Sequence, residues 1–579
     1  MSLYGAVVSE HYLASEIGID ILSCGGNAAD ALVATVIAVN TLCPYHSDLG
    51  GGGFAIIRQS DGIYKSLDFR HTAPLAATAE FYKDKRTDRG GTAVAVPGEL
   101  KGLEEIHSAY GQLSWEECLA PSIRLAREGM PMGGDFTVFL KQITHGKDSV
   151  EGTFLATNPE YRHFLGPEGK LLAVGETFYR PGYADVLERI AQEGSSAFYE
   201  GEVAKSIVEA VTADGGLLSL DDLKNYTFRY NTPLSADYHG YKLVTVPAPA
   251  SGAIWLSAMG TLSHFKSTES GDVLDLHRLT EALRLAYGQR TQLGDPSFVD
   301  GLDAKQASWI SPESTAKRAK MVSDDHTFPP EYYKPPQIEI KNDNGTSNIT
   351  VADSSGLVIS VTTTVGLIFG STIIVPKHGI VLNDSMDDFS VHGRPNGTGY
   401  EPSPANYIVG GKRPLSSSCP YIVEDASGNV VLAGGAAGGS TIISANTQVV
   451  RNVLVRLVIS SGIAVLMGEH QDYGMSATEA LWAARLHNQI LPNVSQVERT
   501  SVTGDRTVNG FTEEQARGLE TKGHVLEWVD KNRSTPCAIK FFPRSSWEPG
   551  CDPRKIDAGG ASVELSRNIE PADWKYFDK

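Results

Sequence analysis

Between Ser9 and Ser23 the apolar residues Leu13, Ile17, Ile21 and Leu22 fall on one side of a 3.6-residue repeat, which predicts an amphipathic helix capped by Ser9 and ended by Gly25-Gly26. From Ala28 to Leu42 the apolar run is almost unbroken. Capped by Asn27, it predicts a second helix buried between layers. The period then changes to two: Phe54 to Arg58 and Ile63 to Arg70 read as a hairpin across Asp61-Gly62. Between them and the helix lies Leu49-Gly50-Gly51-Gly52-Gly53-Phe54, which lacks the Lys-Ser/Thr continuation of a phosphate loop and reads better as a tight turn from helix into strand. From Pro97 to about Leu293 the repeat is mainly helical, with a capping box at Ser114 to Glu117 and a long amphipathic helix over Leu274 to Tyr287. That block is expected to form a covering layer.

Asp325 to Asn344 breaks the pattern. Phe328-Pro329-Pro330 and Lys334-Pro335-Pro336 among polar residues predict an exposed connection without a regular element. Thr346 then opens a strand running to Val351, followed by a turn at Asp353 to Gly356 and a second strand, Leu357 to Thr364, rich in Val, Ile and Thr. Leu367 to Val375 and Ile380 to Asn383 are expected to continue the sheet. His392 to Gly411 has no periodicity and suits a mobile loop or lid. A hairpin turning at Ala426 to Asn429 delivers Gly434 to Ser440 to the start of a helix over Thr441 to Ser461, and capped helices follow at Ser476 and Thr512. Helices, a hairpin, a helical block, then strands with closing helices predict an α/β protein of layered αββα form, two stacked sheets flanked by helices.

At 579 residues, 41% hydrophobic with 59 Gly, the chain is globular and loop-rich. Its net charge of −19 argues against nucleic acid and against an anionic membrane surface as partners. Six Cys without CxxC or Cys/His ligand spacing indicate neither a disulfide scaffold nor a metal site, and read as buried free thiols. The opening Met-Ser-Leu-Tyr-Gly-Ala has no export-signal pattern and no window is apolar enough to span a membrane, which favours a cytoplasmic over an extracellular location. No cofactor motif is present.

The chemistry centres on Gly345-Thr346. Gly-Thr before a strand is ordinarily a turn. A cut between the two would nevertheless give Thr346 a hydroxyl nucleophile and a free α-amine to serve as its base, and the same hydroxyl is able to make the cut by attacking the Gly345 carbonyl. Two further features admit two readings each. Arg70, at a strand end, is either a solvated charge or a planar fork for a substrate carboxylate. The glycines from Gly434 to Gly439 are either a steric necessity or backbone donors at a helix N-terminus, suited to an oxyanion.

Taken in order, Gly25-Gly-Asn-Ala-Ala-Asp-Ala31, Leu49 to Phe54, Asp68-Phe-Arg70, Glu281-Ala-Leu-Arg-Leu-Ala-Tyr287, Thr346 to Asp353, Met386-Asp-Asp-Phe-Ser390, Pro414-Leu-Ser-Ser417, Gly438-Gly-Ser440 and Cys551-Asp-Pro-Arg554 resemble the γ-glutamyltransferase family of self-processing N-terminal nucleophile hydrolases over nearly the whole chain. The resemblance implies an αββα sandwich made of two chains from one precursor: a large segment, residues 1–345, ending in the exposed linker 325–344, and a small segment, residues 346–579, beginning at the nucleophile. It implies that Thr346 is the nucleophile, that Thr364 hydrogen-bonds to it, and that Gly438 and Gly439 supply the oxyanion hole. Arg70, Ser416 and Ser417 would hold the α-carboxylate of a γ-glutamyl group and Asp388 its α-ammonium.

Two positions depart from the family pattern. Gly366 stands where Asn is usual, and Ser385 where Gln or Glu is usual, which leaves Asp388 as the remaining usual side-chain partner of the ammonium.

The expected activity is hydrolysis or transfer on γ-glutamyl amides such as glutathione, with water or an amino acid or peptide as acceptor, and no metal or other cofactor. An alternative is a related acylase whose substrate lacks a standard glutamyl head. A third is a scaffold that never matures.

Overall fold

The computed structural model describes residues 3–166, 168–266, 272–333, 345–393, 402–454, 474–531, 534–542 and 547–565. Two large sheets dominate it. The first has seven strands in the order Gly559–Leu565, Leu3–Ser9, Gly345–Asp353, Val358–Gly366, Gly52–Arg58, Tyr64–Phe69 and Arg229–Asn231. The second has six: Glu548–Cys551, Thr535–Lys540, Val430–Ala437, Tyr421–Glu424, Tyr241–Thr245 and Leu234–Tyr238. Every neighbouring pair in both sheets is antiparallel.

Alternation along the strands builds the layers. Ala6, Val8, Phe54 and Ile56 from the first sheet meet Val244, Ile422, Ala433 and Ile539 from the second in a core between the sheets. The intervening residues Val7, Ala55, Ile57, Ile349 and Val351 face outward and pack beneath helices that include Tyr12–Ser23 and Ala28–Leu42. On the far side Leu243, Tyr421, Val423 and Leu432 pack under the helices Gly252–Leu262, Val273–Arg290 and Ile442–Leu454. The result is the four-layer αββα sandwich expected from the order of elements.

Many local expectations hold. Asn27 caps Ala28–Leu42 through a full capping box with Asp30, and every residue of that helix is buried. Capping boxes also stand at Ser114, Ser476 and Thr512. The turn after Leu49 is close-packed: a Cβ at Gly53 would meet the Thr362 carbonyl. All six cysteines are free, four of them buried.

Other readings are corrected. Ser9 ends a strand, Leu3–Ser9, and the first helix is capped by His11, whose Nδ1 accepts from Leu13 N at 3.3 Å. The strand was not legible because its partners, residues 350–353 and 559–565, are remote in sequence. The block from Pro97 to Leu293 is more than a cover, since it supplies one edge strand to the first sheet and two strands to the second. The helix Val273–Arg290 is buried around most of its circumference, with Glu281 and Arg284 inside, so the amphipathic reading fails. Leu367 to Asn383 does not continue the sheet. Positive φ at Phe369, Gly370, Thr372, Lys377 and Gly379 breaks the extended run, and only the isolated bridges Gly50↔Leu382 and Ile374↔Val381 remain there.

In the connection before the strand of Thr346, Pro330–Tyr333 forms one 3-10 turn, and Tyr333 is buried with its hydroxyl donating to Glu281 at 2.6 Å. The rest of that connection, 334–344, lies outside the described residues, as do 394–401 of the loop and 455–461 of the expected helix. Among the described residues no helix is long and apolar enough to cross a membrane.

Candidate active site

The strands Gly345–Asp353 and Val358–Gly366 pair in a register that sets Thr346 opposite Thr364, with an irregularity after Thr364 that brings Gly366 opposite Gly345. Alternation puts Thr346, Asn348 and Thr350 on the face toward the second sheet, together with Ser360, Thr362 and Thr364. The Thr346 hydroxyl donates to Thr364 Oγ1 at 3.1 Å. Thr364 Oγ1 also accepts from Gly366 N at 2.8 Å, and its own proton goes to the Gly345 carbonyl. Both threonines are 2–3% exposed. A relay thus joins the Thr346 hydroxyl to the Gly345 carbonyl.

The opposite face of the first sheet carries a buried polar network. Ser347 donates to Glu10, whose other oxygen lies 2.6 Å from His46 Nδ1 and 2.8 Å from Lys555 Nζ. Burial would raise the Glu10 carboxyl, yet His46 and Lys555 hold it far below the usual carboxylate range. Thr363 donates to Glu99 at 2.6 Å, and burial pushes the Glu99 carboxyl up to about 7.

The glycine run divides into two physical cases. Gly434 and Gly435 lie within a strand where space is short: the Gly434 carbonyl accepts from Ser360 Oγ at 2.9 Å, and a Cβ at Gly435 would meet Asn348. Gly438 and Gly439 have φ of 118° and 60°, a backbone that favours glycine, at the turn leading into the helix Ile442–Leu454.

A cleft is lined by Gly439 and Ser440 together with Ser416, Ser417, Asp388, Asn406 and Arg290. Arg70 is 1% exposed, so it is not a solvated charge, and its guanidinium pairs with Asp388. His71 Nδ1 is 3.5 Å from Arg70 Nη1 and 3.0 Å from Ser385 Oγ. Burial, with Arg70 and Arg413 nearby, drives the His71 pKa well below its usual value, so the ring is neutral. Gly366 has φ of 100°, and a Cβ there would run into Asp384 Oδ1, which accepts from Leu367 N at 2.9 Å.

The sequence-derived residues therefore form two connected groups. Thr346, Thr364, Gly345 and Gly366 make the relay; Arg70, Asp388, Ser385, Ser416, Ser417 and Gly439 surround or adjoin the cleft, with Gly438 one residue before it. Asp384 links the two, since its N–H donates to Val365 O at 3.0 Å and it leads directly into the 3-10 turn Ser385–Asp388. Sequence reasoning missed Arg290, Asn406 and His71. Arg290 lies one turn beyond Tyr287 on the same helix, a spacing that could have drawn attention to it.

Two groups of metal-ligand type also converge among the described residues: Asp30, His107 and Cys118, and His277, Glu281 and His524. Hydrogen bonds already use these atoms. Asp30 accepts from the backbone of Asn27, Gln112 and Leu113, His277 Nδ1 and His524 Nε2 are 2.7 Å apart, and Glu281 accepts from Thr327 and Tyr333. Both groups read as structural networks.

A family profile described as gamma-glutamyltranspeptidase matches residues 14–562. The glutathione hydrolase proenzyme of Arthroderma benhamiae is 38% identical over 574 residues, 96% of this chain and 93% of that protein. The glutathione hydrolase proenzyme of Escherichia coli is 32% identical, over 96% and 91%. Among solved structures, cephalosporin acylase from Bacillus halodurans superposes with a TM-score of 0.79 at 25% identity, covering 97% of this chain and 96% of that one.

Proposed function

This chain belongs to the gamma-glutamyltranspeptidase family, and from that premise we propose that it is a self-processing γ-glutamyl hydrolase and transferase acting on γ-glutamyl amides such as glutathione, with Thr346 as nucleophile. The observation that carries the reading is the relay from the Thr346 hydroxyl through Thr364 to the Gly345 carbonyl.

In the precursor, Thr346 Oγ1 attacks the Gly345 carbonyl while the Thr364 hydroxyl polarises it. The C–N bond breaks as the Thr346 nitrogen takes up the proton that its hydroxyl gives up, an ester to Gly345 forms on Thr346 Oγ1, and water hydrolyses that ester to release Gly345 as a new carboxyl terminus. Residues 1–345 and 346–579 then remain together as a heterodimer from one precursor. In the mature protein the freed α-amine takes the Thr346 proton as Oγ1 attacks the substrate γ-carbonyl. Backbone N–H groups of Gly438 and Gly439 receive the oxyanion, the leaving amine departs with the proton, and water or an acceptor amine resolves the acyl-enzyme.

The pairing of Arg70 with Asp388 fits a zwitterionic head. A substrate α-carboxylate takes the guanidinium as its α-ammonium takes the carboxylate, so neither buried charge is left alone. Purified protein that releases nothing from γ-glutamyl-p-nitroanilide or glutathione would refute the assignment.

One observation favours a second reading, an acylase with an altered amino end of the pocket. Asp384 fills the space a side chain at position 366 would need, and the Ser385 hydroxyl is tied to His71. Relative rates on a glutaryl amide and its γ-glutamyl analogue decide between them. Strong preference for the γ-glutamyl compound removes the acylase, and preference for the glutaryl compound removes the first reading.

A further inference from the structure

We propose that Arg290 is a positioning residue of this site, fixing the Ser417 hydroxyl as a hydrogen-bond donor to the substrate α-carboxylate. The inference rests on the reading of the cleft as the γ-glutamyl site. Arg290 lines the cleft, is 8% exposed, and closes the helix Val273–Arg290. Its Nη2 donates to Ser417 Oγ at 2.8 Å. A guanidinium only donates, so this bond occupies a lone pair of the serine oxygen and directs the serine proton elsewhere. Among the described residues that proton has no acceptor, and Ser417 lines the cleft.

The neighbouring Ser416 differs. Its hydroxyl is consumed internally, donating to Ser418 Oγ at 3.0 Å and accepting from Ser418 N at 3.1 Å. Of the two serines, Ser417 is the one left able to donate to a ligand.

Arg70 pairs with Asp388, so of the two buried arginines at the cleft Arg290 is the one that holds Ser417. One helical turn earlier, Tyr287 donates its hydroxyl to the Ser440 carbonyl. The last turn of one helix therefore holds the serine loop through Arg290 and the glycine turn through Tyr287. Both walls of the cleft are referenced to the same rigid element.

The test compares wild type with Arg290→Gln, Arg290→Lys, Ser417→Ala and the double variant Arg290→Gln/Ser417→Ala, each first checked for cleavage and melting temperature. Arg290→Gln is expected to raise KM for γ-glutamyl-p-nitroanilide by about ten- to a hundred-fold, the range of one hydrogen bond to a charged group, with a smaller change in kcat. It should cause little loss on the same anilide with its α-carboxylate amidated. The double variant should be close to Ser417→Ala alone. Arg290→Lys, which keeps the charge without the planar fork, should fall between wild type and Arg290→Gln, and it carries the test if Arg290→Gln does not fold.

Equal losses on the acid and the amide, or additive losses in the double variant, would overturn the proposal. Failure of the wild type to release p-nitroaniline would overturn the proposed function instead. In that event calorimetry with L-glutamate and its α-amide reads Arg290 alone: the proposal stands if Arg290→Gln weakens only L-glutamate, and falls if it weakens both or neither.

Discussion

The hydroxyls of Thr346 and Thr364 lie 3.1 Å apart on facing positions of two antiparallel strands, and Thr364 passes the connection on to the carbonyl of Gly345. Replacing Thr364 by Val removes both the acceptor for the Thr346 proton and the donor to that carbonyl. Self-cleavage should slow by roughly a hundred- to a thousand-fold, the scale of losing one oxyanion donor. Thr364→Ser, which keeps the hydroxyl, should process. The surviving 62.2 kDa precursor on a denaturing gel over time reads the difference.

Cleavage at Gly345-Thr346 should give fragments of roughly 37 and 25 kDa that copurify, scaling mass by length for segments of ordinary composition. Thr346→Ala should abolish both cleavage and turnover, while Thr346→Ser or Cys should retain some processing. N-terminal sequencing of the smaller fragment checks the assignment. A start at any other residue would move the nucleophile.

Arg70→Lys should mature normally, because the cut involves no external carboxylate. Substrate affinity should nevertheless fall by about ten- to a hundred-fold, since an ammonium cannot reproduce a two-pronged contact. KM measured on fully cleaved protein tests this, and an uncut Arg70→Lys chain would contradict the separation of roles.

Glu99 makes stability depend on pH. Burial raises its carboxyl from 4.5 to about 7, so the folded chain keeps a proton that the unfolded chain releases near 4.5. Its contribution is full below about 4.5 and is lost as pH rises through 7, by up to about 3 kcal/mol. Asp48, buried beside Arg180 and raised to about 6, acts in the same direction. In the uncut Thr346→Ala protein, Glu99→Gln should flatten, without abolishing, the fall in denaturation midpoint between pH 4.5 and 7.5. An unchanged slope would remove Glu99 as its source.

Gly366→Ala should destabilise the uncut protein by about 1–3 kcal/mol in urea, because its φ of 100° disfavours a side chain and the new Cβ would meet Asp384. A neutral result would mean that the turn after Thr364 relaxes freely.

The sequence was most legible where a rule acts locally. Asn27 as a helix cap, the hairpin turn at Asp353 to Gly356, and the capped helices at Ser476 and Thr512 were all readable from a few neighbouring residues. It was least legible where the partner is remote. The strand Leu3–Ser9 has no signal of its own, and Leu234–Tyr238 and Tyr241–Thr245 need Tyr421–Glu424 to complete their sheet. Thr346 could be singled out because a hydroxyl residue where a proline-rich connection enters a strand is a local pattern. Arg290 had only its place one turn beyond Tyr287 to mark it, because its contact with Ser417 forms across 127 positions of chain.

The strand order carries one more consequence. In the first sheet Gly345–Asp353 lies between Leu3–Ser9 and Val358–Gly366, so strands from either side of the Gly345-Thr346 bond are interleaved there, and in the second sheet the two sets meet where Tyr241–Thr245 pairs with Tyr421–Glu424. Neither fragment contains either of the two large sheets complete. Before the cut, refolding is a first-order search within one chain; after it, two chains must find each other and the process becomes second order. The uncut Thr346→Ala protein should therefore renature at a rate independent of dilution. The cleaved wild type should recover more slowly as it is diluted, so self-cleavage makes the fold a state that is reached easily once and regained only with difficulty.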